Sequence, residues 1–203
     1  MQRYLIIILL VLMGLMIVAC EDDAELRIRN RTNAPITAKV DDAAEFTIES
    51  GSGWSRTYTE DTGVTVKYEG LYVYPTTVER QVTKGLPTTV TVFADCGAVT
   101  ITNDTTLVIT EINISRHDDT GFGENQISGN MTQGSALTWS IKKGSWDFRV
   151  ITEDGSPLYC MNQTITDDVT LELSISDFVN FAETNKTTGT GSTKSEVILR
   201  KAN

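Results

Sequence analysis

The stretch VTVKYEG, residues 64–70, sets the rule for most of this chain. Val64, Val66 and Tyr68 alternate with Thr65, Lys67 and Glu69. A period of two sends successive side chains to opposite faces of an extended strand. LRIRN (26–30), TTVTVFA (88–94) and VTLELSI (169–175) repeat the pattern. Threonine, valine and isoleucine dominate these runs, and β-branched residues suit a pleated, half-buried surface. Turn signals punctuate them: SGSG (50–53), DTG (61–63), TKG (83–85), TND (102–104), KKG (142–144) and EDG (153–155). No stretch between residues 26 and 175 sustains a helical period. Short strands at this spacing predict an all-β chain built as an antiparallel sandwich or barrel.

The pattern occurs twice. LRIRNRTNAPITAKV (26–40) lies over VTITNDTTLVITEIN (99–113) at a constant offset. Ile28 then matches Ile101, Asn30 matches Asn103, Thr32 matches Thr105 and Ile36 matches Ile109. Farther on, ESGSGW aligns with TQGSAL, placing Gly51 and Ser52 over Gly134 and Ser135. EDTGVTVKYEG then aligns with IKKGSWDFRVITEDG. The expected architecture is two tandem antiparallel β-sandwich domains, Ig-like or transthyretin-like, over residues 26–96 and 97–178. Ile28 and Ile101 should both point into cores. Asn30 and Asn103 should both end a first strand and bond the backbone of the turn beyond it. Gly63 and Gly144 should both lie in the turn before a core strand. Residues 179–203 are expected to form a flexible tail, because ETNKTTGTGSTKSE (183–196) has almost no apolar residue to bury. VILR (197–200) fits either an edge strand or a frayed end.

The N-terminus is of another kind. After Met1-Gln2-Arg3-Tyr4, the run Leu5 to Ala19 carries no charge. It is shorter than the ~20 residues of a transmembrane helix. It also lacks the polar face of a core helix. A positive head, a short apolar segment and a small residue before the cut describe a secretory signal peptide. Ile17-Val18-Ala19-Cys20 resembles the lipobox of bacterial lipoproteins. That resemblance implies a signal peptide over 1–19 and a Cys20 that receives a diacylglycerol and, on its new amine, a further acyl chain such as palmitate. Residues 20–25, opening on Glu21-Asp22-Asp23, would form an acidic tether. Such acids resemble sorting signals that mean inner-membrane retention in some lineages and export to the cell surface in others; the expected address is the cell envelope, with the outer membrane or cell surface placed ahead of the inner membrane.

The repeated unit also resembles known domains. The run N.T...I, the step Phe122-Gly123, then QGS (133–135) and KKGSWDFRV..EDG resemble β-sandwich domains of bacterial surface and periplasmic lipoproteins. Those domains often carry Trp-Gly where this chain has Phe122-Gly123. The resemblance implies a fold and a location and brings no catalytic residues.

Charge and cysteine usage narrow the partners. The formal net charge is −10. Cleavage before Cys20 removes Arg3 and no acid, so the mature chain is one unit more negative. An acidic surface repels nucleic acid and anionic head groups. The expected partners are the membrane, through the anchor, and an envelope protein or polysaccharide, but no nucleic acid. With Cys20 lipidated, Cys96 and Cys160 remain, and an even remainder in an exported chain predicts a disulfide between them.

Chemistry is sparse. His117, in RHDDTGFGEN (116–125), has acids beside it but no nucleophile motif such as G-x-S-x-G. It is expected to be solvated. Asp118, Asp119 and Glu124, with Asn125, are the candidate calcium ligands, although EF-hand spacing is missing. The reading is therefore no metal, no cofactor and no enzyme. In YEGLYVYP (68–75), Tyr72 and Tyr74 share a face if the period holds, with Trp54 and Tyr58 upstream. An exposed face of Trp54, Tyr72 and Tyr74 would stack on sugars or anchor a protein; a buried one would be core. Trp139 and Trp146 are read as core. The function expected is a lipid-anchored envelope protein with a binding or structural role. The alternative is a surface carbohydrate- or protein-binding module using that aromatic face.

Overall fold

The computed structural model describes residues 23–180 and 197–202. The signal peptide, Cys20 and the polar run 183–196 lie outside the described residues. Fourteen strands follow in order: β1 (Ala24–Asn30), β2 (Ile36–Val40), β3 (Phe46–Ile48), β4 (Gly53–Tyr58), β5 (Thr62–Gly70), β6 (Val73–Val82) and β7 (Pro87–Val92) in the first half. The second half holds β8 (Gly97–Thr102), β9 (Ile109–Arg116), β10 (Ala136–Ile141), β11 (Gly144–Thr152), β12 (Pro157–Ile165), β13 (Thr170–Ser174) and β14 (Val197–Ala202). One 3-10 turn, Ile175–Asp177, follows β13.

The first half pairs the sheet β4-β1-β7 with β3-β2-β5-β6, and the second pairs β13-β8-β10-β14 with β12-β11-β9. Period-two alternation explains why the sheets close on one another. Leu26, Ile28, Val90 and Val92 of one sheet meet Ile36, Ala38, Val64 and Val66 of the other in one buried cluster. A second cluster joins Val99, Ile101, Trp139 and Ile141 to Ile112, Ile114, Trp146, Phe148 and Val150. The chain is a β-sandwich protein. Trp139 and Trp146 are both fully buried, as core residues.

The halves share six corresponding strands; β3 of the first half and β14 of the second have no counterpart strand. β1 lies between β4, antiparallel, and β7, parallel. β8 lies in the same way between β10, antiparallel, and β13, parallel. Ile28 and Ile101 are fully buried. Asn30 and Asn103 are fully buried too. The Asn30 Nδ2 donates to Ala34 O (2.8 Å) and Ile48 O (3.0 Å), while its Oδ1 accepts from Thr32 N and Thr32 Oγ1, both at 2.9 Å. The Asn103 Nδ2 donates to Leu107 O (2.7 Å) and Met131 O (3.0 Å), while its Oδ1 accepts from Thr105 N (3.1 Å) and Thr105 Oγ1 (2.9 Å). Each asparagine thus closes a turn and pins a neighbouring strand.

Four expectations need correction. The parallel pairs β1–β7 and β8–β13 break the antiparallel rule, because the last strand of each half crosses back beside the first. Gly63 sits inside β5 opposite Gln81 rather than in a turn, whereas Gly144 does open its strand. The stretch expected as a tether up to residue 25 overlaps the fold, since β1 starts at Ala24, which is fully buried. The tail is not loose to its end: Val197–Ala202 pairs antiparallel with β10.

That last strand also reaches the first half. The Arg200 Nε donates to Ser140 Oγ (2.9 Å), Nη1 to Glu69 Oε2 (2.6 Å) and Nη2 to Val73 O (3.1 Å). Ser140 Oγ donates to Leu71 O (2.7 Å), and Asn33 N to Asp168 Oδ1 (2.7 Å). These bonds gather at the end of β1 opposite Ala24.

Candidate functional site

The second half departs from the first at one place. Between β2 and β3 the chain needs only residues 41–45. The corresponding connection in the second half runs from 117 to 130, and Met131 takes the place of Ile48, pairing with Ile109 as Ile48 pairs with Ile36. The longer segment folds over the outer face of β12-β11-β9. It is tied down by Asn125, whose Oδ1 accepts from Ile112 N (3.0 Å) and Ile127 N (3.1 Å).

Beneath it lies a buried polar cluster. On β11, Trp146, Phe148 and Val150 enter the core. Asp147 and Arg149 alternate with them and face the 117–130 segment. Asp147 is fully buried, and Arg149 is 8% exposed. A bulge in β12 sets two residues, Met161 and Asn162, against Asp147. Asn162 adopts φ 53°, and its N–H donates to Asp147 Oδ1 at 2.7 Å. Such a bulge re-aims a backbone group that a regular ladder would use elsewhere. The same oxygen lies 2.8 Å from His117 Nδ1. Arg149 Nε and Nη2 both donate to Asn113 Oδ1 (3.1 and 3.0 Å), and its guanidinium lies 5.1 Å from the centre of the Phe122 ring. Phe122, 1% exposed, also packs on Tyr159 at 5.5 Å.

His117 is therefore only half as solvated as its sequence context suggests. Its side chain is 48% exposed, but a buried carboxylate thirty positions away holds one ring nitrogen. With Nδ1 donating to Asp147, Nε2 is the nitrogen left to accept a proton or meet a ligand. Among the described residues, no hydroxyl or thiol bonds the ring. No signal in RHDDTGFGEN names Asp147, and in WDF the aspartate takes the outward position, where alternation leaves a polar residue unremarkable.

The other candidates are placed as follows. Asp118 and Glu124 are exposed, and Asp119 Oδ2 accepts from Arg116 N (3.3 Å). Among the described residues, no three His, Cys, Asp or Glu side chains gather as a metal site, so the calcium alternative at Asp118, Asp119 and Glu124 has no cage. Trp54, Tyr72 and Tyr74 do not share a face. Trp54, on β4, stacks on Phe46 with centroids 4.5 Å apart and packs on the first core. Tyr72 sits in the turn between β5 and β6, its hydroxyl 2.9 Å from Thr170 Oγ1. Tyr74, on β6, lies under Lys142 Nζ at 5.8 Å. Both tyrosines join the two halves, because the turn interrupts the alternation that would have aligned them for a ligand.

The disulfide is absent. Cys96 and Cys160 are free thiols. The Cys96 Sγ turns to Leu71 O (3.8 Å) at the junction, and burial, with Asp95 close by, pushes its thiol up to about 12. Cys160 lies opposite Phe148 on β12 and packs against the second core, where burial also raises its pKa. An even cysteine count says nothing of distance, and a bridge needs Cα atoms within ~7 Å.

The pair His117–Asp147 makes a measurable prediction. Asp147→Ala should cost about 3 kcal/mol in urea unfolding, since it strips partners from a buried network. His117→Ala should cost about 1 kcal/mol, because half of its ring already meets water. In a double-mutant cycle the two losses should fall short of adding; strict additivity would mean that the 2.8 Å contact carries no energy.

No family model matches the chain, and no curated protein matches it. Among solved structures, the TIE protein of Bacillus anthracis aligns with 75% of this chain and 33% of its own length, at 14% identity and a TM-score of 0.28. The chain spans about a third of that protein.

Proposed function

We propose that this chain is a lipid-anchored protein of the bacterial cell envelope that acts by binding or as structure, not by catalysis. The observation that carries the reading is Ile17-Val18-Ala19-Cys20 after an uncharged run, with the first strand beginning at Ala24, four residues beyond the cysteine. Two or three acyl chains anchor firmly because each buried methylene adds ~0.8 kcal/mol. The polar cluster supports a non-enzymatic role: Arg149 and Asn113 are engaged with each other, and Asp147 holds His117 without a nucleophile on the ring. The outer membrane or cell surface is the proposed address.

Expression in a bacterium tests this. The mature N-terminus should carry the mass of an acylated Cys20, and the protein should float with membranes. Cys20→Ser should leave the membrane fraction almost completely. A substituted chain that stays membrane-bound, or an unmodified Cys20, would end the proposal.

A second reading, a surface module for carbohydrate or protein, is favoured by a different place from the aromatic trio. A concavity of about 230 Å³ on the outer face of β3-β2-β5-β6 is lined by Thr37, Lys39, Glu45, Lys67, Tyr68 and Thr77. Lys39 and Lys67 stand directly opposite each other, and like charges so placed repel. Glu45 and Glu69 line the same concavity, so a ligand there meets charges of both signs, which suits a polar sugar or a mixed-charge peptide.

A further inference from the structure

We infer that the turn Thr83–Leu86 is a membrane contact, with Leu86 seated at the acyl boundary of a zwitterionic bilayer beside the lipidated Cys20. The inference rests on the proposed anchor. Its geometry comes from the first half. β1 begins at Ala24 and runs away from it to Asn30, and the end it reaches is the one held by the second half through Asn33, Leu71 and Tyr72. The Ala24 end is therefore the one turned toward the tether. Three residues, and so four Cα-to-Cα steps, separate Cys20 from Ala24, and four steps span at most ~14 Å. Whatever projects beside Ala24 must then meet the lipid surface.

What projects includes a large apolar side chain in the same turn as Lys84. Ala24 bridges Lys84, and the turn closes with Leu86 N donating to Thr83 O at 3.3 Å. Lys84 N donates to Asp61 Oδ1 (2.8 Å), which fastens the turn to the β4–β5 connection at the same end. Leu86 is 68% exposed, the most exposed large apolar side chain among the described residues. Asp41, Glu60 and Asp61 belong to the connections around it and outnumber the turn's own cation, Lys84, so the balance of charge there disfavours an anionic bilayer over a zwitterionic one. An exposed leucine costs free energy in water and gains it on burial; here the tether supplies the apolar phase within reach.

The chain contains its own control. Phe93 is 67% exposed and follows β7, as Leu86 precedes it. The six residues of β7 separate the two by about 20 Å at ~3.3 Å each. Phe93 lies at the junction end and should stay in water.

The experiment uses the full lipidated chain in phosphatidylcholine vesicles with and without brominated acyl chains. Fluorescence of Leu86→Trp and of Phe93→Trp is read as the difference from the unsubstituted protein, which cancels Trp54, Trp139 and Trp146. Brominated lipid should quench the tryptophan at 86 and leave the one at 93 at its unbrominated intensity. Quenching at neither position, or at both, overturns the membrane contact while leaving the anchor intact, provided that the N-terminal mass shows acylation and the protein floats. A chain lacking that mass overturns both.

Discussion

Gly97→Ala is expected to unfold much of the second half at ordinary temperature. A Cβ at Gly97 would lie 2.2 Å from Thr166 O, 2.7 Å from Ile165 Cγ2 and 3.1 Å from Val169 O. Two of these are backbone atoms of the connection between β12 and β13. That connection cannot swing aside cheaply. It is bonded back to the start of β8 by Asp168 N to Cys96 O (3.0 Å) and Ala98 N to Val169 O (2.9 Å). Yielding space to the methyl breaks those bonds and displaces β13 from its parallel ladder. The loss should reach about 4 kcal/mol or more, beyond the ~1–3 kcal/mol of ordinary overpacking. Gly85→Ala is the control: nothing lies within 4 Å, and the cost is that of its φ of +75° alone, about 1–2 kcal/mol. Urea unfolding followed by tryptophan fluorescence reads both. A Gly97→Ala protein as stable as Gly85→Ala would show that the β12–β13 connection moves freely.

The second large effect belongs to the paired asparagines. Asn30→Ala and Asn103→Ala each remove two donors and one doubly used acceptor from a fully buried site. Unsatisfied buried groups cost about 1–3 kcal/mol each. Asn103→Ala takes a donor from Leu107 O and Met131 O and the acceptor from Thr105 N, and about 4 kcal/mol is expected; Asn30→Ala does the same to Ile48 O and Thr32 N, but Ala34 O keeps the Thr32 Oγ1 donor at 2.8 Å, and about 3 kcal/mol is expected. The two losses should agree within about 1 kcal/mol, because the four bonds made by each asparagine side chain correspond. Asp in place of either asparagine should not rescue, since a carboxylate lacks the amide donors. If Asn30→Ala is costly and Asn103→Ala is neutral, the likeness of the halves is one of shape without shared energetics.

Much of this was legible. Alternation at Leu26, Ile28, Val64 and Val66 located the inward faces, because side-chain period and burial are the same physical fact in a strand. The N-x-T motif carried its own mechanism, since asparagine and a following threonine bond locally. What is set by long-range pairing was not legible. Alternation is blind to strand direction, so β7 beside β1 and β13 beside β8 could not be read. At Asp147 the β12 bulge brings a partner from fifteen residues away, and His117 adds one from thirty, with no local pattern to mark either. Tyr72 failed because Gly70 to Val73 is a turn, where a period of two stops. Cys96 and Cys160 failed because parity counts residues and not distances. The edge beside β10 admitted β14 through Arg200, whose partners Glu69 and Val73 belong to the other half.

The parallel pairing of β1 with β7 also decides how the molecule bears a pull. The N-terminal end of β1 leads to the tether, and β7 leaves from the opposite end, toward the second half. Under the proposed anchor, tension between the membrane and anything gripping the far half draws the two strands along their axes in opposite directions. Six residue pairs, Glu25–Pro87 to Asn30–Val92, are then loaded together in shear. Had the neighbouring terminal strands been antiparallel, the same pull would have opened them one pair at a time, like a zip. Rupture in shear requires many bonds to fail at once, so this pairing resists a pull between the start of β1 and the end of β7 better than a peeled hairpin would.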